Sequence, residues 1–157
     1  MKRQLAEQTE VAFYAYIGSL VEHLGMDQVI KFDHVVTNID STNSVGGYSG
    51  TTGVFTAPVD GLYVFHATVM SHLTHVFYAM IYKESTPVAT ILLGGGIQYN
   101  MASNSAILAL RKGERVMVRH ESADHSIEGA YYGGQSTFAG FLLVEHFYPD
   151  HGNPVVG

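Results

Sequence analysis

Alternation of apolar and polar residues at every second position recurs along this chain from Val11 to Phe147, and it restricts the fold more than any other feature. Successive side chains of a β-strand point to opposite faces, so a period of two is the period of strands. No long segment carries apolar residues at the i, i+3, i+4 and i+7 positions that mark an amphipathic helix. The chain is therefore predicted to be all-β.

Turn residues divide the alternating segments into roughly eight short strands, which predict a two-sheet sandwich of jelly-roll type. The strands are predicted at residues 11–17, 29–32, 61–70, 76–83, 88–93, 105–110, 115–119 and 136–144. The short segment 111–114 contains Gly113 and lies between two strand-like runs, which predicts a hairpin. Residues 61–70 are largely apolar on both faces, as expected for a strand buried between layers. Gly140, inside the last strand, indicates a close backbone approach to a neighbour.

Composition excludes several classes of protein. Hydrophobic residues make up 46% of the chain and charged residues 14%, which is typical of a folded domain and not of a disordered one. Only 8 residues are Lys or Arg and the net charge is -6, so neither nucleic acid nor an anionic membrane surface is an expected partner. The absence of cysteine excludes disulfides, thiolate nucleophiles and Cys-based zinc sites.

The chain divides into a polar N-terminal stub at residues 1–10, one globular domain at 11–147 and a C-terminal tail at 148–157. The stub lacks the apolar stretch of a signal peptide. No apolar run approaches the roughly 20 residues that a membrane-spanning helix needs. Insertion into a membrane is therefore not expected.

One set of residues between positions 32 and 65 carries a family resemblance. The set consists of Phe32, Asn38, Tyr48, Phe55, Gly61, Tyr63 and Phe65. In these residues the chain resembles the globular-head domain of complement component 1q, and segments 105–114 and 136–143 are similar to later strands of that family. Two departures are the lengthened segment from Asn38 to Tyr48, interpreted as a longer surface loop, and Ala67, where an aromatic residue is common.

The resemblance implies a fold shared with the tumour necrosis factor ligands, assembly as a homotrimer, and binding without catalysis. It is also the reason to expect a secreted, extracellular protein, of which this chain is the mature form. The chain is similar to the stalkless lectin-like members of the family in invertebrate innate immunity. They suggest recognition of glycans or microbial surface polysaccharides. The alternative is a trimeric protein ligand or structural module that acts on a protein receptor.

The loop at residues 121–135 is the candidate ligand site. Carbohydrate recognition uses carboxylate or amide groups for sugar hydroxyls and an aromatic face for the apolar side of the ring. The loop supplies both kinds of group in Glu121, Asp124, His125, Tyr131, Tyr132 and Gln135. The competing interpretation is a solvated loop in which one tyrosine packs into the core or a trimer interface.

Metal and catalytic sites are not expected. His66, His72 and His75 lie close together in sequence, but no cysteine or nearby carboxylate completes a zinc site. Histidines at a trimer interface would instead make assembly sensitive to pH. Several relatives carry calcium near the three-fold axis, but residues 92–100, which correspond to that region, contain no acidic side chain. The chain also lacks a nucleophile elbow, a phosphate-binding glycine loop and a metalloprotease histidine pair, so neither cofactor nor enzymatic activity is predicted.

Overall fold

Two antiparallel sheets form the protein in a computed structural model that describes residues 7–44, 46–71, 76–94, 99–121 and 134–145, together with the backbone of 125–127. Twelve strands lie in these residues. They are β1 (Val11–Tyr16), β2 (Val21–Leu24), β3 (His34–Asp40), β4 (Gly47–Ser49), β5 (Val54–Thr56), β6 (Gly61–Ser71), β7 (Phe77–Lys83), β8 (Thr86–Leu93), β9 (Asn100–Leu110), β10 (Arg115–His120), β11 (His125–Ile127) and β12 (Thr137–Glu145).

The strands divide into a seven-stranded and a five-stranded sheet. The larger sheet has the order β2-β11-β6-β12-β1-β3, and β9 pairs with β6 as its seventh strand. The smaller sheet has the order β4-β5-β10-β7-β8. Because β6 crosses to β7, and β9 crosses to β10, the chain passes repeatedly from one sheet to the other. The all-β jelly-roll prediction is confirmed.

Aromatic side chains from both sheets fill the space between them. The ring of Phe13 in β1 stacks on Tyr48 at a centroid distance of 4.7 Å and on Phe55 at 5.2 Å, and it meets Phe138 edge-on at 5.0 Å. Phe65 lies 5.3 Å from Phe55 across the sandwich. Offset and edge-on pairs of this kind add to the free energy that burial of the rings already provides. The predicted core residues Phe55, Tyr63 and Phe65 are all fully buried.

Gly140 makes the close approach that its place in a strand predicts. A Cβ atom added to Gly140 would lie 2.6 Å from Cδ1 of Phe65 and 2.8 Å from Cε1 of Phe13. Both contacts are far inside van der Waals distance. The missing side chain is therefore what allows β12 to lie against the aromatic core.

Asn38 joins the two sheets at one corner. Its Nδ2 donates to the carbonyl oxygen of Tyr48 at 2.8 Å, and its Oδ1 accepts from the Tyr48 backbone N–H at 3.2 Å. The Tyr48 hydroxyl in turn hydrogen-bonds the backbone of Phe32 at 3.1 Å. Three residues of the sequence signature thus connect edge strand β3 to edge strand β4. The lengthened segment between Asn38 and Tyr48 includes the end of β3 and then a turn in which Asp40 accepts from Thr42.

The opposite corner is joined by side chains as well. Asn104 of β9 donates through Nδ2 to the carbonyl oxygen of Thr90 in β8 at 2.9 Å. Lys83 donates through Nζ to the carbonyl oxygen of Ala109 at 3.0 Å. Each bond occupies a carbonyl at the margin of a sheet. Asn104 therefore joins β9 to edge strand β8 across the gap between the sheets, and Lys83 joins β9 to β7.

Two strand predictions were wrong. Segments 105–110 and 115–119 do not form a hairpin, because β9 pairs with β6 while β10 pairs with β5 and β7 in the other sheet. The turn around Gly113, whose φ is 89°, is a crossing between sheets. Segment 29–32 is not a strand either, since only Val29 makes an isolated bridge to Arg119. Its apolar residues Ile30 and Phe32 are buried as core side chains, and the strand follows them as β3.

Candidate functional site

Glu121 begins the predicted ligand loop, and the structure defines contacts of both its backbone and its side chain. It directly follows β10, where its backbone N–H donates to the carbonyl oxygen of Tyr78 at 2.8 Å. The hydroxyl of Tyr82 donates to Oε1 of Glu121 at 2.5 Å. This hydrogen bond, followed by burial, raises the pKa of Tyr82 to about 12. Glu121 is therefore anchored to the five-stranded sheet at the point where the loop begins.

Arg119 completes a cluster around this tyrosine. Its guanidinium lies 4.7 Å from the centroid of the Tyr82 ring, a cation–π contact. One of its nitrogens, Nη2, is also 3.5 Å from the carbonyl oxygen of Glu84. We call Tyr82, Arg119 and Glu121 the tyrosine cluster. Tyr82 is buried, whereas Arg119 and Glu121 are half-buried, so the cluster is partly exposed at the point where the candidate loop begins.

The remaining predicted ligand residues are placed only in part. His125 begins β11, where its backbone pairs with Leu24 of β2. Gln135 is half-buried and lies two residues before β12. Asp124, Tyr131 and Tyr132 lie outside the described residues. The grouping of these side chains around one ligand stays a prediction.

Sequence reasoning missed Tyr82 and Arg119. The available signal was the alternation in β7, which places Tyr78, Met80 and Tyr82 on the face opposite the fully buried Phe77 and Ile81. The contact with Glu121 depends on how β7 pairs with β10, where Met117 is opposite Tyr82 and Arg119 is opposite Met80. That register is not encoded in either segment alone.

Within the described part of the chain, no three His, Cys, Asp or Glu side chains converge as metal ligands. His66 lies on β6, while His72 and His75 lie outside the described residues. In the segment considered for calcium, Asn100 donates through Nδ2 to the carbonyl oxygen of Gly94 at 3.2 Å.

The outer face of the seven-stranded sheet is the second notable surface. Residues opposite each other in antiparallel strands point to the same side, so the register defines rows of side chains across β3, β1, β12, β6 and β9. The first row is apolar throughout and consists of Ile39, Ala12, Phe141, Val64 and Ile107. Phe141 is 45% exposed and Ile107 is 65% exposed. Large apolar side chains therefore face outwards on β12 and β9, the two strands on either side of β6.

Two further rows continue this surface. One consists of Thr37, Tyr14, Ala139, His66 and Ser105, and the next of His34, Tyr16, Thr137, Thr68 and Ser103. No Asp, Glu, Lys or Arg side chain occurs in these three rows of described residues. We call the three rows the outer face. Ordinary protein surfaces are rich in charge, so an uncharged face that exposes large apolar groups marks an interaction surface.

The outer face also corrects one expectation. Residues 61–70 were interpreted as a strand buried on both faces, but among the described residues one face of β6 is fully buried and the other is mostly half-buried, with Met70 buried at its end. Tyr63, Phe65, Ala67 and Val69 are fully buried, whereas His66 on the other face is exposed. The apolar character of that other face thus belongs to a surface and not to a second core layer.

Two sheets with this strand order define a jelly-roll domain of the kind found in C1q heads and tumour necrosis factor ligands. The model of the C1q domain family matches residues 12–143. The chain belongs to the C1q domain family.

Curated relatives are similar along most of this chain. The heavy metal-binding protein HIP of Mytilus edulis is 30% identical over 148 residues, covering 90% of this chain and 67% of that protein. The complement C1q tumor necrosis factor-related protein 3 of Mus musculus is 33% identical over 137 residues. That match covers 83% of this chain and 51% of the mouse protein. Domains of this family are typically binding or signalling modules and not enzymes.

Solved structures show the same fold at low sequence identity. The globular domain of zebrafish complement 1qA superimposes with a TM-score of 0.68 at 19% identity, over 87% of this chain and 99% of that one. The Eiger TNF structure from S. frugiperda gives a TM-score of 0.74 at 14% identity, over 93% and 100% of the two chains.

In the residues that the structure describes, no helix has the length and hydropathy required to span a membrane.

Proposed function

We propose that this chain is a secreted, lectin-like pattern-recognition protein of innate immunity, which binds glycans or microbial surface polysaccharides as a homotrimer. The observation that carries the proposal is the outer face, an uncharged and partly apolar surface that extends over five strands. A second copy of the same chain is the occupant we propose. The C1q domain family assignment favours this occupant, because the resemblance in the sequence implies a trimer.

The chemistry of the outer face supports association between copies. Transfer of apolar surface from water is favourable by roughly 25 cal/mol per Å². Burial of a charged group without a partner is costly, and the three rows contain no permanently charged side chain that would have to be buried. The hydroxyl groups of Tyr14, Thr37 and Ser105 can pair across an interface or with water. Contact between protomers would therefore gain apolar burial without a large desolvation cost.

A charge placed on the outer face tests the assembly. We expect wild type to sediment as a trimer at micromolar concentration and at neutral pH, and Ile107→Asp to sediment as a folded monomer. Met26→Asp is the matched control, since Met26 and Ile107 are both 65% exposed and Met26 lies away from the three rows. A monomeric wild type, or a trimeric Ile107→Asp, would contradict the proposed interface.

Glycan recognition is proposed for the loop at 121–135. The tyrosine cluster supports it, since a carboxylate held by a tyrosine hydroxyl is oriented before a ligand arrives, and preorganisation reduces the entropic cost of binding. Binding sites on single protomers would be reinforced by trimerisation through multivalency. No metal is proposed as a cofactor. Because the relative from Mytilus edulis is named a heavy metal-binding protein, the dependence of binding on metal should be measured.

A glycan array probed with the recombinant protein, with calcium and with a chelator, tests this second part. We expect binding that is unchanged by the chelator. Tyr131→Ala and Asp124→Ala should each abolish binding while the trimer stays intact, and Lys31→Ala serves as a control at an exposed position outside the loop. A trimer that binds no sugar would instead favour the alternative, a ligand for a protein receptor. Unchanged affinity in both loop variants would show that the site lies elsewhere.

A further inference from the structure

His66 lies in the middle row of the outer face. It is opposite Ala139 of β12 on one side and Ser105 of β9 on the other. Its Nδ1 is 2.7 Å from the Ser105 hydroxyl, and its Nε2 is 3.3 Å from the hydroxyl of Thr68. Both ring nitrogens are therefore engaged with neutral hydroxyl groups, which can donate to or accept from the imidazole.

Among the described residues of the strands beside His66, no carboxylate lies on its face of the sheet. Its neighbours on the same face of β6, β12 and β9 are uncharged, and so is every residue of the adjacent strand β8. They are Val64, Thr68, Thr137, Ala139, Phe141, Ser103, Ser105 and Ile107. This list covers the described residues of the two strands that pair with His66 on either side.

Other titratable groups on the described strands of this sheet lie further from His66. They include Asp40 at the end of β3, Glu22 and His23 of β2, and His125 at the start of β11, a strand that pairs with β6 at Ser71. β1 contributes the phenols of Tyr14 and Tyr16. At the margin, β3 contributes His34, whose ring stacks on Tyr16 at 5.1 Å and whose Nδ1 is 3.2 Å from Oδ1 of Asp33. At the far ends of the sheet, Glu145 is opposite Gly61 in β6, and Lys83 binds the backbone of β9. A proton on His34 has an adjacent carboxylate, whereas a proton on His66 has none.

We infer that His66 makes the assembly acid-sensitive: the interface accepts the neutral imidazole, and protonation of His66 separates the protomers. The inference rests on the proposed function, because it requires the outer face to be the interface between copies. In the free protomer the ring of His66 is exposed to water. In the assembly the same charge would be buried among hydroxyl, methyl and aromatic groups, which is strongly unfavourable.

The size of the effect follows from the linkage between protonation and assembly. An imidazole in water has a pKa of about 6.5, so at about pH 5 roughly 30 rings are protonated for each neutral one. If only protomers with a neutral imidazole can assemble, the association constant falls by at most about 30-fold for each protomer, or about 10⁴-fold for a trimer. A multivalent binder with this property would lose avidity for its ligand in an acidic compartment.

Sedimentation equilibrium at about pH 7.5 and about pH 5 tests the inference, with circular dichroism to show that the fold persists. The dissociation constant of the wild-type trimer should be at least about 100-fold larger at the lower pH, which is well below the limit of about 10⁴-fold set by linkage. His66→Gln, which retains a hydrogen-bonding side chain but cannot be protonated, should remain a trimer under both conditions. His66→Arg, which carries a permanent charge, should be a folded monomer under both. His34→Gln is the matched control and should dissociate in acid as wild type does.

The outcomes separate the inference from the proposed function. A wild type that is monomeric at neutral pH overturns the proposed assembly itself. A trimer that persists at the lower pH, or a His66→Gln trimer that dissociates as wild type does, overturns the role of His66 and leaves the assembly in place. Acid unfolding of wild type and His66→Gln alike would show that loss of the fold, and not His66, separates the protomers, and it also overturns the inference.

Discussion

Substitution of Gly140 by alanine measures how tightly β12 packs on the aromatic core. The added methyl group would lie 2.6 Å from one buried ring atom of Phe65 and 2.8 Å from one of Phe13. Those rings cannot move aside easily, since Phe13 also contacts Tyr48, Phe55 and Phe138. Excess volume in a well-packed core costs about 1–3 kcal/mol. We expect a loss of stability in that range.

Thermal and urea denaturation followed by circular dichroism measure the loss. For a domain of this size, 1 kcal/mol corresponds to about 2–4 °C, so the melting temperature should fall by about 2–12 °C. Gly94→Ala is the control, because no atom lies within 4 Å of an added Cβ at that position. Its stability should stay within about 0.5 kcal/mol of wild type. Equal stability of the two variants would refute the argument that Gly140 is required by packing.

Three further predictions concern polar contacts. Asn38→Ala should lower the free energy of unfolding by about 1–3 kcal/mol in urea titrations, since it leaves two backbone groups of β4 without their partner; an unchanged midpoint would count against the corner contact. Glu121→Gln should lower the pKa of Tyr82 from about 12 towards that of an ordinary phenol, visible as a phenolate transition that Tyr82→Phe removes. Arg115→Gln should raise the pKa of Glu84, which the Arg115 hydrogen bond holds below its usual range, in a carboxyl NMR titration. The stability that this ion pair contributes is present above the unfolded-state pKa and is lost as pH falls through the lower folded pKa.

The main features of the fold could be predicted because strand alternation and turn residues are local signals. Phe55, Tyr63 and Phe65 were expected in the core and are buried there. β3 was missed because its side chains are mostly exposed and lack a clear apolar face. The hairpin prediction failed at Gly113 for another reason. Turn chemistry shows that the chain reverses, but not whether it returns to the same sheet.

The candidate site was less predictable than the fold. Tyr82 and Glu121 are separated by 39 positions in the chain, and their contact follows from strand register. The outer face was misinterpreted because an apolar face reads the same in sequence whether it is covered by the protein's own second layer or by another molecule. Only the arrangement of the two sheets shows that, among the described residues, the face of β6 with His66 lies away from the core between the sheets.

The side-chain bonds of Asn104 and Lys83 also bear on whether the edge strands can pair with other chains. Exposed edge strands offer free carbonyl and N–H groups to other chains and can seed fibrils. Asn104 and Lys83 occupy carbonyl groups at these two edges, and Asn38 does the same at the opposite corner. At these positions the carbonyl groups are already paired within the protomer, so they are not offered to an added strand beside the apolar outer face.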